Sequence, residues 1–309
     1  MAYPIEKKLV VAVASSALFD LTESDSIFKA RGLNAYQQYQ RENEQNPFKK
    51  GVAFPFIKRL LRLNEAFQET QVEVVLMSKN SPETGLRALN SIKHYRLDIT
   101  RAGFTSGNPH FKYLPAFNTA LFLSANEQDV DDAIANGYAA GKVLNTVVID
   151  NDDDMELRLA FDFDGVLADD ESERVYKESG MKPYQDYESE RSNIPLNTGP
   201  VIELLKKISV FQQLERRQKE KDPEYKQIIK TAIVTARNAP AHERMIKTLN
   251  AWKIDVDETF FLGGIDKSRI LNIMQPHIYF DDQIIHLDHL DKIPAVHIPF
   301  GIANQNKQS

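Results

Sequence analysis

Two carboxylates one residue apart, Asp162 and Asp164, close the apolar run of Leu159-Ala160-Phe161-Asp162-Phe163-Asp164-Gly165-Val166-Leu167 and are followed at once by glycine. Alternate residues of an extended chain point to the same side, so both acids would face one site. A hydroxyl and a cation close a second run, Ile233-Val234-Thr235-Ala236-Arg237; Lys267 follows the turn Gly263-Gly264; and two further carboxylates close Ile278-Tyr279-Phe280-Asp281-Asp282. Taken singly, each has an ordinary structural use: Asp-X-Asp-Gly as a turn, a strand-end threonine or an Asp-Asp pair as a helix cap, a lysine after glycine as surface charge. Their succession as acid pair, hydroxyl, lysine and acid pair points instead to phosphoryl transfer.

A phosphate monoester dianion repels an attacking oxygen, and its uncatalysed hydrolysis is among the slowest reactions known. Acids at two strand ends could hold a hard divalent cation, most simply Mg²⁺, with water and phosphate oxygens completing its octahedron. An anionic carboxylate could then approach phosphorus and form an aspartyl phosphate. Thr235, nearby backbone N–H groups and Lys267 would donate to the equatorial oxygens, where transition-state charge gathers. Arg237 has two readings at this point, a phosphate ligand or the partner of an acid.

These groups need strands that end together. Short apolar runs recur at Leu9–Ala14, Val72–Met77, Ala120–Leu123, Val147–Ile149, Leu157–Phe161, Ile228–Val234, Phe260–Leu262 and Ile278–Phe280, separated by longer amphipathic stretches. Runs too short for helices and rich in β-branched or aromatic residues suit strands covered on both faces, and the stretches between them suit crossover helices, clearest over Phe54–Phe67 and Glu243–Trp252. The expectation is an α/β fold with parallel sheets, whose strand C-termini line the ligand crevice. The acidic break from Asp150 to Glu156 reads either as a boundary between residues 1–150 and 151–309 or as a tight turn between strands. The charged stretch Glu215 to Lys226 reads as a solvated helix end or loop without chemistry.

The halves also share a spacing. Thr235, Gly264 and Asp281 fall at intervals of 29 and 17 residues, and so do Ser78, Gly107 and Ser124. Either the chain is an internal duplication, whose first copy lacks the strand-end acids, or the intervals coincide by chance. In the first half Ser78, Lys79, Asn80, Thr105 and Ser106 could hold sugar or base, or simply cap helices and close turns.

Composition narrows the class. The chain has 309 residues, 42% apolar and 27% charged, with 38 Lys and Arg against 44 Asp and Glu for a net charge of −6. Bulk charge gives no reason to expect nucleic acid or an anionic membrane. With no cysteine there is no disulfide, thiolate metal site or cysteine nucleophile. Lys7-Lys8 before Leu9 to Phe19 has the outline of a signal peptide, but Glu6 interrupts the basic region and the apolar run serves equally as a buried strand. No run approaches the ~20 apolar residues of a membrane span, and the expected location is the cytoplasm.

The four motifs resemble those of the haloacid dehalogenase superfamily. The resemblance implies that Asp162 attacks phosphorus, that Asp164 protonates the leaving alcohol and then activates water, and that Thr235 and Lys267 fill the second and third motif roles. It further implies Mg²⁺ held by Asp162, the backbone carbonyl of Asp164 and Asp282, with Asp281 beside it, and a cap inserted at about residues 168–230. Asp162-Phe163-Asp164-Gly165-Val166-Leu167, Val234-Thr235-Ala236-Arg237, Phe261-Leu262-Gly263-Gly264 and Pro276-His277-Ile278-Tyr279-Phe280-Asp281-Asp282-Gln283 look in particular like the cytosolic 5′-nucleotidase type I family. So do Ser78-Lys79-Asn80-Ser81-Pro82-Glu83-Thr84-Gly85 and Phe104-Thr105-Ser106-Gly107, and the likeness runs from Lys8 to Ile302. One departure is Asp162-Phe163-Asp164 where animal members carry Asp-Gly-Asp; the carboxylate spacing survives, while substrate preference need not.

The implied activity is Mg²⁺-dependent hydrolysis of nucleoside 5′-monophosphates, with Thr235, Ala236 and Arg237 as the candidates to bind substrate; Tyr176, Tyr184 and Tyr187 could stack a base or be ordinary half-buried residues. A sugar-phosphate phosphatase and a non-catalytic nucleotide-binding protein are the alternatives. A receiver-type signalling module fits less well, because there the acid pair comes early and the lysine last. Association with further copies of the chain, as a homo-oligomer, is an open expectation.

Overall fold

In a computed structural model that describes residues 3–68, 71–147 and 150–307, the chain divides into two compact units, Met1–Asp150 and Asn151–Ser309. The first runs β1 (Leu9–Val13), α1 (Ser15–Leu18), β2 (Phe19–Asp20), α2 (Thr22–Glu42), β3 (Lys49–Lys50), α3 (Phe54–Ala66), β4 (Val72–Ser78), α4 (Pro82–His94), β5 (Arg101–Phe104), β6 (Leu121–Ser124), α5 (Glu127–Ala135) and β7 (Ala140–Val143). Its parallel sheet has the order β7-β6-β1-β4-β5, with β2 and β3 forming a small antiparallel pair. Every residue of β1, β4 and β6 is buried, as strands covered on both faces require. Among the crossover helices, α3 carries Pro near its start and α4 begins with a capping box between Ser81 and Thr84.

The second unit runs β8 (Leu157–Phe161), α6 (Glu171–Ser179), α7 (Met181–Glu190), α8 (Ile202–Lys221), β9 (Ile229–Thr235), α9 (His242–Trp252), β10 (Glu258–Phe261), α10 (Ser268–Met274), β11 (Ile278–Asp281), α11 (Ile284–Leu287) and β12 (Ala295–His297). Its sheet, also parallel, has the order β12-β11-β8-β9-β10. The motifs therefore sit where the sequence reading expects them, at the C-terminal ends of β8, β9 and β11 and after β10. Within residues 168–230, α8 buries Ile202, Leu204, Leu205, Ile208 and Phe211 as a crossover helix should. The inserted part is the pair α6 and α7, packed on each other and, through α7, on α9.

The two units have one topology. Strands taken in chain order occupy the same places in both sheets, and their registers agree: Leu9 pairs with Val72 as Leu157 pairs with Ile229, Val11 with Leu121 as Leu159 with Ile278, and Val75 with Arg101 as Ala232 with Glu258. Ser78 and Thr235 thus end equivalent strands, as do Ser124 and Asp281, and the shared intervals of 29 and 17 are the imprint of that register. The helix insertion is repeated as well: α2 breaks at Gly32 (φ 77°, ψ −174°), and α6 and α7 meet at Gly180 (φ 84°, ψ −175°).

Some elements depart from expectation. Val148 and Ile149 of the run Val147–Ile149 lie outside the described residues. The strands β5, β7 and β12 have no apolar run to announce them. The stretch from Glu215 is not wholly solvated: Glu215 is buried and accepts from the backbone N–H groups of Ile228 (2.7 Å) and Ile229 (3.3 Å), fixing the entry to β9. No helix among the described residues is long and apolar enough to cross a membrane.

Candidate active site

Asp162, the residue after β8, turns its carboxylate into the protein: Oδ1 accepts from its neighbour's amide, Phe163 N (2.7 Å), and Oδ2 lies 2.8 Å from Lys267 Nζ. The same ammonium is 2.7 Å from Asp281 Oδ2. Lys267 reaches this point because Gly263 and Gly264, both at positive φ (56° and 92°), turn the chain after β10 and deliver it just ahead of α10. Asp281 is saturated: it also accepts from Tyr279 Oη (2.5 Å) and Gln283 N (2.8 Å), and His286 Nδ1 stands 3.1 Å away.

Asp282 is the opposite case. It is fully buried, and neither carboxylate oxygen has a hydrogen-bond partner among the described residues. Its side chain occupies the space that a Cβ on Gly165 would take, since such an atom would lie 2.5 Å from Asp282 Oδ2. Gly165 also has φ +72°, so glycine here meets both a backbone and a steric requirement.

Burial pushes Asp162 up to about 7 despite Lys267, with Asp281 adding to the rise. Asp282 is raised well above the carboxylate range, first by burial and then by the neighbouring Asp162 and Asp281. For Asp281 burial acts in the same direction, but Lys267 and His286 outweigh it and hold the carboxyl low. Lys267 itself is held firmly charged, its two acids overriding its burial. Of three buried acids, two thus share one ammonium and the third, Asp282, has no partner among the described residues. A buried carboxylate without a partner is costly, and this set of oxygen donors is what a hard divalent cation requires. Ligand atoms of Asp162, Asp281 and His286 lie within 4.8 Å of one another. Because Asp281 already has four partners, Asp162 and Asp282 are the freer donors.

Asp164 points into the pocket and is gripped at both oxygens by Arg237, Nε on Oδ2 and Nη2 on Oδ1, each at 2.7 Å. Of the two readings of Arg237, pairing with an acid is the contact present. Behind it lies a buried network that the sequence reading missed: Arg237 Nη2 donates to Ser172 Oγ (2.8 Å), Nη1 contacts Glu188 Oε2, and Glu188 Oε1 accepts from Arg244 Nη1 (2.9 Å). Ser172 and Glu188 belong to α6 and α7, so the acid–arginine pair ties the insertion to β9. Thr235 is buried at the end of β9, its hydroxyl accepting from Arg237 N (3.2 Å), and Ala236 is exposed beside it.

These groups open onto a cavity of about 310 Å³, walled on the insertion side by Tyr176 and Tyr184. The two rings meet edge to face at 5.9 Å. Tyr187 instead donates to Glu171 (2.5 Å) and lies against Arg191 and Arg244. The remaining candidates, Ser78, Asn80, Thr105 and Ser106, belong to the first unit. There Ser78 Oγ meets Ser15 Oγ (3.0 Å), Asn80 Oδ1 accepts from Tyr36 Oη (2.9 Å), Thr105 Oγ1 donates to Asn108 O (2.6 Å), and Ser106 takes a left-handed conformation. His286 and Gln283 were legible only as the residues that follow an acid pair into a short helix.

The profile of the 5′-nucleotidase family matches residues 1–305. Human "Cytosolic 5′-nucleotidase 1B" is 34% identical over 295 residues, covering 93% of this chain and 48% of that protein. The chain thus spans about half the length of that relative. A solved structure titled "Structure of Pnkp1/Rnl/Hen1 complex" aligns over 96% of this chain and 97% of its own at 13% identity, with a TM-score of 0.30, too low to carry an argument.

Proposed function

The chain belongs to the 5′-nucleotidase family, and from that premise we propose that its second unit hydrolyses nucleoside 5′-monophosphates to nucleoside and phosphate, with Mg²⁺, through an aspartyl phosphate on Asp162. In this reading the unit is a haloacid dehalogenase-like catalytic domain, the α6–α7 pair is its cap, and the reaction takes place in the cytoplasm, as the name of the human relative supports. The observation that carries the reading is the buried cluster in which Lys267 bridges Asp162 and Asp281 while both oxygens of Asp282 stand unpartnered.

Asp162, Asp282 and the backbone carbonyl of Asp164 would hold the cation, with Asp281 as the neighbour that fixes Lys267. When bound, it cancels charge between the carboxylate and the phosphate. Asp162 is oriented by Phe163 N and Lys267, which leaves its carboxylate aimed for attack on phosphorus. Thr235 and Lys267 donate to the phosphoryl oxygens. As the Asp162–phosphorus bond forms, the ester oxygen leaves and takes a proton from Asp164. Asp164 then removes a proton from water, which attacks phosphorus and frees Asp162. Arg237 orients Asp164 for this exchange and has to slip from one of its oxygens before a proton can sit there. Tyr176 and Tyr184 offer the ring faces for a base.

The test is phosphate release from AMP, CMP, dTMP and glucose 6-phosphate at equal concentration with Mg²⁺, for the wild type and Asp162→Asn. Release from the nucleotides and none from the folded variant is expected. Equal or faster release from glucose 6-phosphate would favour a sugar phosphatase, and substantial turnover by the variant would exclude covalent catalysis at Asp162.

A further inference from the structure

The repeat does not stop at the sheets. A cavity of about 690 Å³ in the first unit is assembled from the counterparts of the residues that line the candidate active site. Counting from the paired glycines 32 and 180, Phe28, Lys29, Leu33 and Tyr36 of α2 stand where Tyr176, Lys177, Met181 and Tyr184 stand in the α6–α7 pair. Phe28 and Tyr36 meet edge to face at 5.8 Å, as Tyr176 and Tyr184 do at 5.9 Å. Even the buttress is kept: Arg87 lies over Tyr39 (5.5 Å) and reaches Gln40, as Arg244 lies over Tyr187 (5.6 Å) and reaches Glu188. On the sheet side, Asn80 and Asn126 take the places of Arg237 and Gln283.

What has gone is the acid set. Ala14 follows β1 where Asp162 follows β8, and both backbones donate to the same neighbouring strand position, Leu123 and Phe280, at 2.7 Å. Ser16 then stands for Asp164, and Ala125 follows β6 where Asp282 stands in the second unit. His110, three residues after Gly107 as Lys267 is three after Gly264, is buried with neither ring nitrogen hydrogen-bonded among the described residues. The charge balance of the lining shifts accordingly. Lys29 and Lys79 stand with Asp25 in the lining, and Lys79 is also ion-paired with the buried Asp129, so acids and cations balance there, whereas Lys177 and Arg237 face Asp162, Asp164 and Glu173. An anion can enter the first pocket without a metal ion to cancel carboxylates, and no carboxylate stands at the end of β1 to attack it.

We propose that this first-unit pocket is a second, non-hydrolysing binding site for a nucleoside phosphate. The ring of the ligand lies against Phe28 and Tyr36 and its phosphate is drawn by Lys29, with Lys79 beside it held by Asp129. The ligand class rests on the reading of the second unit given above; the existence of the site rests on the repeat.

Equilibrium dialysis of labelled AMP against full-length Asp162→Asn, with Mg²⁺, counts the sites. Two bound AMP per chain are expected, falling to one when Phe28→Ala and Lys29→Glu are added. Phe28 is half exposed and Lys29 exposed, so the added changes spare the fold. A count that is unchanged when Phe28 and Lys29 are replaced overturns the proposal. Hydrolysis of AMP by the otherwise wild-type chain, measured in parallel, reports on the active-site reading separately. If that chain hydrolyses no nucleotide, the active-site reading fails, while loss of a bound AMP with Phe28 and Lys29 still supports the second site and no loss still overturns it.

Discussion

Gly165→Ala separates the two demands placed on the turn after Asp164. At φ +72° an alanine is strained by about 1–2 kcal/mol whatever surrounds it. In addition, its Cβ would lie 2.5, 2.6 and 2.9 Å from Oδ2, Cγ and Cβ of Asp282. Carbon contacts are comfortable at about 3.5–4.0 Å, so the Asp282 carboxylate has to retreat by about 1 Å. If Asp282 holds the cation as proposed, a displacement of that size is enough for a loss of about 100-fold in rate. Gly137→Ala is the control: its φ is +79°, but a Cβ there meets nothing within 4 Å. Both variants should lose comparable stability in urea unfolding from the backbone term. Only Gly165→Ala should lose phosphate release, by about two orders of magnitude, and require more Mg²⁺ for half-maximal rate. Retention of activity within threefold by Gly165→Ala, or an equal activity loss in Gly137→Ala, would refute the argument that Gly165 exists to make room for Asp282.

Glu188→Ala removes the one carboxylate between two buried guanidinium groups, those of Arg237 and Arg244. Breaking such a pair from one side typically costs about 3–5 kcal/mol, to be read as a lower urea midpoint; a change under about 1 kcal/mol would mean the network is slack. Asp150 is a pH probe in the first unit, buried against Arg59 (2.7 Å) and Lys50 (3.0 Å). Burial raises its carboxyl, but Arg59 and Lys50 outweigh this and hold it well below the usual carboxylate range. Its contribution is therefore fully present above an ordinary value of about 4 and is lost as the pH falls towards the depressed one. Melting between pH 5 and pH 3 should drop more steeply for the wild type than for Asp150→Asn, and parallel curves would contradict the assignment.

The residues that were legible share one property: the strand that carries them is buried on both faces. Leu157–Phe161, Ile229–Thr235 and Ile278–Asp281 are nearly continuous apolar runs, so their ends, and with them Asp162, Thr235, Asp281 and Asp282, can be located by inspection. The strands β5 and β10 border their sheets and are half exposed, which erases the signal; Phe260 rescued β10, whereas Arg101-Ala102-Gly103-Phe104 has too little apolar length. The strands β7 and β12 are four and three residues long, and Gly141-Lys142 and His297 leave them no apolar run. The Glu188–Arg237–Arg244 network was illegible for another reason. It joins residues from two inserted helices to one strand end and one crossover helix, and no local spacing encodes such a meeting.

The repeat shows how two units can share one scaffold and differ in the acids at their strand ends. Register within each sheet is set by the buried interiors of the strands, where a slip of one residue would reverse every side chain. The residues just past the strand ends take no part in that choice. Ala14, Ser16 and Ala125 could therefore replace acids without disturbing the pairing of Leu9 with Val72 or of Val11 with Leu121. The helix insertion depends likewise on its glycine break and its aromatic pair, both retained around Gly32 and Gly180. Phe28 stands half exposed in edge contact with Tyr36, as the half-exposed Tyr176 does with Tyr184.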